Sequence, residues 1–288
     1  MRGAIDCHVH VYPPEVIRDW ERIAQREPYF KTLASGKIHR WATAEDVLTQ
    51  METDGIGESW IFGFAFSDLG LCRLCNDYVI ESVRTSSGRL KGLAVVPPLA
   101  PGSAREIERC CEEGLIGVGE LFPLGQGFDI ADKRQTWRLA GMCHEMGLFL
   151  LVHVAEPVGH DYPGKGNVGP KEAYCFCFNH PEVTTLFAHW GGGLWLYELM
   201  PEVKLALGNA YYDTAAMPFL YGAKAFDAAM SAGVLDKILY GSDYPILSAE
   251  RYRRLLEGSS LTEKNKEALL KRNAERLLQG IRASNRRR

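Results

Sequence analysis

The chain has 288 residues, room for two average domains or for one large α/β barrel of about 250 residues. Hydrophobic residues make up 46% and charged residues 24%, a globular composition that excludes disordered, collagen-like and fibrous classes. With 33 Lys and Arg against 36 Asp and Glu the net charge is −3, so no global field draws in a polyanion and no nucleic-acid partner is expected.

The first apolar run, 4–10, reads as a buried strand, and a long polar connection over 12–43 follows it. A helical pattern over 44–54 then leads into a second strand at 58–64. From there strands at 90–96, 117–122, 148–153, 184–189, 204–213 and 237–243 alternate with helical segments at 76–86, 103–113, 134–146, 195–200, 219–232 and 250–256. The strands are nearly continuous apolar stretches, as in Leu148-Phe149-Leu150-Leu151-Val152, which suits a parallel sheet covered by helices. Eight such units in this length predict an α/β protein, a (β/α)8 TIM barrel forming one domain over 1–288. The rival, an open doubly wound sheet, lacks a Gly-rich dinucleotide fingerprint after its first strand. A last helix is expected to start at a capping box of Ser260 and Glu263, run from Lys264 to Leu278, and end at Gly280. The basic residues 286–288 read as a solvated terminus.

No run reaches the roughly 18 to 20 apolar residues of a membrane helix, and no hydrophobic leader opens the chain, so a cytoplasmic protein without membrane contact is expected. Eight cysteines are too dilute for a disulfide scaffold and are expected to be reduced. Cys72 with Cys75, and Cys175 with Cys177, lack the Gly-rich knuckles of thiolate zinc ribbons and read as small apolar filler.

His8-Val9-His10 closes the first strand, and residues two apart on a strand face the same way, so both imidazoles can converge on one ion. Glu120, His153, His189 and Asp243 also fall at the C-terminal ends of predicted strands. Singly, each reads as a cap or a hydrogen-bonded core residue. Together, in a barrel whose strand ends surround one axis, six nitrogen and oxygen donors form a metal site.

Through Ile5-Asp6-Cys7-His8-Val9-His10, Leu151-Val152-His153, Phe187-Ala188-His189-Trp190-Gly191-Gly192, Tyr240-Gly241-Ser242-Asp243-Tyr244-Pro245 and Asn273-Ala274-Glu275-Arg276-Leu277 the sequence resembles the metal-dependent amidohydrolase superfamily. Within it, the chain resembles the amidohydrolase-related group that holds the aminocarboxymuconate semialdehyde decarboxylases. The resemblance spans nearly the whole chain and implies that His8, His10, His153 and Asp243 bind a divalent metal, usually zinc. It makes His189 a further ligand or a partner of the bound water. Glu120 departs from many single-metal members and is similar to the two-metal arrangement of TatD-type deoxyribonucleases, so one or two ions are expected.

Imidazoles and carboxylates suit Zn²⁺ or Mn²⁺, which at an open coordination position lower the pKa of water to near ~7. Asp243 is the expected proton acceptor, with His189 or the metal polarising the scissile oxygen. In the loop after the fifth strand, His160 and Lys165 are candidate substrate-binding groups, as is Trp190 after the sixth; Gly191-Gly192-Gly193 reads as an anion-binding helix start or a close-packing turn. Asp213 is a candidate supporting residue behind the ligands.

The leading expectation is a hydrolase acting on an amide, ester, lactone or related bond of a small molecule. Non-oxidative decarboxylation is the alternative and calls for a substrate-carboxylate cation, for which Arg40 and Lys165 are the candidates. A TatD-like phosphodiesterase rests on Glu120 alone, and a catalytically inactive binding barrel is the non-enzymatic reading. A homodimer is expected only by analogy with other barrels.

Overall fold

The computed structural model describes residues 1–286; Arg287 and Arg288 of the basic tail lie outside the described residues. Among these residues eight strands pair in parallel and in sequence order: β1 (Ala4–His10), β2 (Ile56–Phe62), β3 (Leu90–Ala94), β4 (Gly117–Leu121), β5 (Phe149–Val152), β6 (Thr185–Phe187), β7 (Ala210–Asp213) and β8 (Ile238–Leu239). The ring closes where Cys7 N–H donates to Tyr240 O at 2.9 Å, His10 N–H to Tyr244 O at 2.8 Å and Asp243 N–H to His8 O at 3.0 Å. The expected (β/α)8 TIM barrel is therefore what forms.

Every residue of β1, β4 and β5 is buried, as a sheet covered by helices requires. Trp60, Phe62, Phe149, Phe187, Tyr212 and Tyr240 are fully buried in the core, and full burial of a large apolar side chain contributes roughly 1.5–3 kcal/mol. The helix Ala44–Asp54 coincides with its predicted span because Thr43 and Asp46 cap each other, with Asp46 N–H donating to Thr43 Oγ1 and Thr43 N–H to Asp46 Oδ2.

Several boundaries move, each for a local reason. The apolar stretch 204–206 belongs to a helix, Pro201–Ala206, which Pro201 starts, so β7 begins only at Ala210. The segment 219–232 splits into Met217–Leu220 and Lys224–Ser231, because Tyr221 takes an extended conformation between them. Ser260 does not cap the last helix: its N–H and Oγ both donate to Asp227 Oδ1, and Thr262 accepts from Asn265 N–H instead. That helix continues past Gly280 to Arg286, with one wider turn over Ala268–Arg272.

The connection over 12–43 and a second long one, 155–181 after β5, carry structure of their own. Short helices Pro14–Arg18, Trp20–Ala24 and Pro28–Ala34 occupy the first, and Pro170–Asn179 the second. The first is pinned to the loop after β2 by the buried Glu27, which accepts from Ser67 N–H, Ser67 Oγ–H and Asp68 N–H at 2.9–3.0 Å. Gln126 ties three more segments together, donating to Phe66 O and Val96 O and accepting from Phe122 N–H. The barrel mouth is thus braced by hydrogen bonds as well as packing. None of the described helices is long and apolar enough to cross a membrane.

Candidate metal centre

The strand ends bring His8, His10, Glu120, His153, His189 and Asp243 to one place, all at or below 8% exposure. They divide into two triads, His8–His10–Asp243 and Glu120–His153–His189, each with its ligand atoms within 4.8 Å of one another. Glu120, a member of the second triad, also faces the histidines of the first. Its Oε2 is 3.5 Å from both His8 Nε2 and His10 Nε2, while its Oε1 is 3.0 Å from His153 Nδ1 and 3.5 Å from His189 Nε2. Asp243 Oδ1 is 3.7 Å from His8 Nε2 and 3.4 Å from His10 Nε2.

Backbone conformation aims these groups. Gly119 has φ +133°, and a Cβ there would sit 2.0 Å from Leu151 O, so only glycine lets β4 approach β5 closely enough to place Glu120. His189 and Asp243 take left-handed conformations, with φ 55° and 63°, which turn their side chains back over the axis. The left-handed run continues through Trp190 to Gly193, so the glycines make a tight turn and not a helix start: a Cβ on Gly192 would lie 2.4 Å from Ala155 O.

Each of three imidazoles has one nitrogen tied to an outer acceptor. His8 Nδ1–H donates to Asp213 Oδ2 at 2.9 Å, His189 Nδ1–H to Ala215 O at 3.1 Å and His153 Nε2–H to Lys165 O at 3.2 Å. These bonds fix the tautomers, so the opposite nitrogens turn lone pairs inward, toward two carboxylates. Lone pairs and anions facing one another in a buried site repel unless cations lie between them. His8 Nε2 has no hydrogen-bond partner, and spacings of 3.4–3.7 Å match the ~3.4 Å between donors on a tetrahedral ion with ~2.1 Å bonds. The donor set fits divalent cations.

In the protein alone protons substitute for that charge. Burial opposes a charged His8, but Asp213 and Glu120 outweigh it and hold the imidazole well above its ordinary value. Burial likewise opposes charge on His189, yet Glu120 pushes it up to about 9. Burial would raise Glu120, but His8, His153 and His189 pull it well below the usual carboxylate range.

Asp213, fully buried, holds more than His8: its Oδ1 also accepts from His189 N–H at 3.0 Å and Ala215 N–H at 2.9 Å. The candidate substrate groups lie differently. His160 is exposed, and its carbonyl accepts from Lys165 Nζ at 3.2 Å. The Lys165 ammonium also reaches Asp161 Oδ1 at 3.4 Å, so its side chain serves its own loop while its backbone carbonyl orients His153. Trp190 is fully buried among Trp195, Tyr221 and Phe226. Arg40 donates to Lys37 O and His39 O in its own turn. Missed by sequence reasoning are the Lys165 carbonyl, a backbone group with no residue-type signal, and Tyr29, whose hydroxyl donates to Gly164 O and holds the same loop down. The cysteines are all free thiols: six are buried, and Cys111 and Cys175 are half-buried.

No curated protein sequence matches the chain. Among solved structures, a 5-carboxyvanillate decarboxylase from Sphingomonas paucimobilis superposes with a TM-score of 0.76 at 14% identity, covering 97% of this chain and 99% of that one. A dihydroxybenzoic acid decarboxylase from Polaromonas sp. JS666 with bound manganese gives 0.72 at 18% identity, covering 99% of each chain. A probable 2-pyrone-4,6-dicarboxylic acid hydrolase from Acinetobacter baumannii gives 0.64 at 14% identity over 96% of this chain and 99% of that one. At these identities the likeness shows a shared fold. A family model described as amidohydrolase matches residues 5–280, nearly the whole chain, and with it the strand-end ligand pattern finds its place: the chain belongs to the amidohydrolase family.

Proposed function

We propose that the chain is a metal-dependent hydrolase in which His8, His10 and Asp243 would hold one divalent cation, His153 and His189 would hold a second, and Glu120 would serve both. The observation that carries this reading is the position of Glu120, one carboxylate oxygen facing each group of histidines. Zinc or manganese suits these donors, and manganese is the ion named in a structural neighbour. When bound, such ions supply Lewis acidity, acidifying a water and polarising the oxygen of the bond to be split.

The chain's own residues do the rest. Asp243, drawn below the ordinary carboxylate range by His10 and His8 against its burial, is ionised at neutral pH and accepts the proton of the attacking water. It then returns that proton to the leaving group. His189 keeps its proton on Nδ1, bonded to Ala215 O, so its Nε2 is a ligand and not the acid that polarises the substrate. The low exposure of all six residues keeps bulk water from the chemistry.

Decarboxylation is the second reading, supported by the names of two structural neighbours. Against it, the two cations considered for a substrate carboxylate, Arg40 and Lys165, are both engaged in their own loops. Turnover of lactones, amides and hydroxylated aromatic acids by manganese-loaded protein in ¹⁸O-water separates the two. Solvent oxygen appearing in an acid product supports hydrolysis; loss of carbon dioxide from an aromatic acid without solvent oxygen overturns it. His8→Ala and Asp243→Asn are expected to abolish turnover in a folded protein.

A further inference from the structure

The segment between β6 and β7, together with the helix before β6, presents an apolar face that no described residue covers. Phe178 of the helix Pro170–Asn179, Leu196, Tyr197, Leu199 and Met200 beyond His189, and Leu205 of the helix Pro201–Ala206 are each 44–84% exposed. They make up half of the large apolar side chains exposed among the described residues, and they are neighbours. Both helices pack on the segment His189–Leu199 and on each other. Just past the two helix ends, Asn209 Nδ2–H donates to Pro181 O at 2.7 Å, which sets the ends carrying Phe178 and Leu205 side by side.

The face is held from behind. Leu194 and Trp195 are buried in the core. Between the outward Tyr197 and Leu199, the buried Glu198 accepts from Tyr212 Oη–H and Lys237 Nζ, both at 2.7 Å. The backbone therefore presents the apolar side chains to solvent in a fixed arrangement.

Scattered apolar side chains on a surface are ordinary, whereas a contiguous patch above roughly 300–600 Å² marks an interaction site. At about 200 Å² for a whole residue of this size, these side chains expose roughly 700 Å², close to the ~800 Å² that each partner brings to a standard interface. The fringe extends that area, and its charges are self-complementary. Successive helical residues turn by about 100°, so on Pro201–Ala206 the exposed Glu202 and Lys204 flank Leu205 on opposite sides. Neither is in an ion pair among the described residues. A two-fold axis running along this helix sets Glu202 of one copy beside Lys204 of the other, around a joined apolar centre.

We propose that this face is the interface of a homodimer, with Leu205 at its centre and a second copy of the chain as its occupant. Sedimentation velocity of the full chain over a range of concentrations tests it, beside thermal melts of the same samples. The wild type is expected to run at twice the chain mass at about 50 μM. Leu205→Glu, at a position open to solvent in the single chain, is expected to keep a cooperative melt and to weaken association at least about 30-fold. Glu202→Lys and Lys204→Glu are each expected to weaken association several-fold, and to restore it when combined. A wild type that stays monomeric at about 50 μM leaves the face to a different protein and overturns the proposal, as does association unchanged by Leu205→Glu. A combined variant that associates no more tightly than either single one overturns the two-fold pairing.

Discussion

Replacing Asp213 by Asn tests whether the imidazoles are held as ligands. Asp213 is fully buried, with Oδ1 accepting two backbone N–H groups and Oδ2 accepting His8 Nδ1–H at 2.9 Å. Asparagine keeps the shape and can keep the two backbone bonds through its carbonyl oxygen. Its amide then faces His8 Nδ1 with a donor, so His8 must move its proton to Nε2, which points at Glu120 and Asp243. A lone pair needed for the cation becomes an N–H. Loss of such an outer partner typically costs 10- to 100-fold in metal affinity, about 1.4–2.7 kcal/mol. Because the backbone bonds survive, folding stability should change by only about 1 kcal/mol. Competition of wild-type and Asp213→Asn protein against a chelating indicator, beside thermal melts of the metal-free forms, reads both quantities. Wild-type metal affinity in a folded Asp213→Asn protein would refute the reasoning.

Other consequences lie away from the metal. Glu198, buried behind β7, accepts from Tyr212 Oη–H and Lys237 Nζ, both at 2.7 Å, so Glu198→Ala strands a buried phenol and leaves a half-buried ammonium without its counter-charge, held only by Leu207 O at 2.9 Å. Urea unfolding should show a loss of about 3–5 kcal/mol, and a loss under about 1 kcal/mol would contradict the pairing. Gly119→Ala, with φ +133° and a Cβ forced to 2.0 Å from Leu151 O, should lose metal binding and melt well below wild type; a normal melt with full metal content would show that β4 has slack. Burial pushes the Cys75 and Cys177 thiols up to about 12, so a thiol reagent at pH 8 should label Cys111 and Cys175 in the native protein, and the six buried cysteines only after unfolding. Fast native labelling at Cys75 would argue against that burial.

Much of the barrel was legible because its strands bury both faces and so read as apolar runs, and because parallel strands place their C-terminal ends on one rim. His8 and His10 followed from strand alternation, and Glu120, His153, His189 and Asp243 from their places at run ends. What stayed hidden depends on backbone or on distant partners. The left-handed turn at His189 and Trp190 continues into glycines that a helix start would equally use. Ser260 and Glu263 spelled a capping box, but Asp227, 33 residues away, takes the Ser260 hydroxyl. Lys165 was marked for its charge, whereas its carbonyl does the positioning.

The central claim is that Glu120 joins two cation sites, and metal per chain measured by plasma mass spectrometry on wild-type and Glu120→Gln protein, each dialysed with zinc or manganese, tests it most directly. Two ions in the wild type falling to about one in Glu120→Gln is the predicted result. One ion or none in the wild type, or two ions in both proteins, would contradict it.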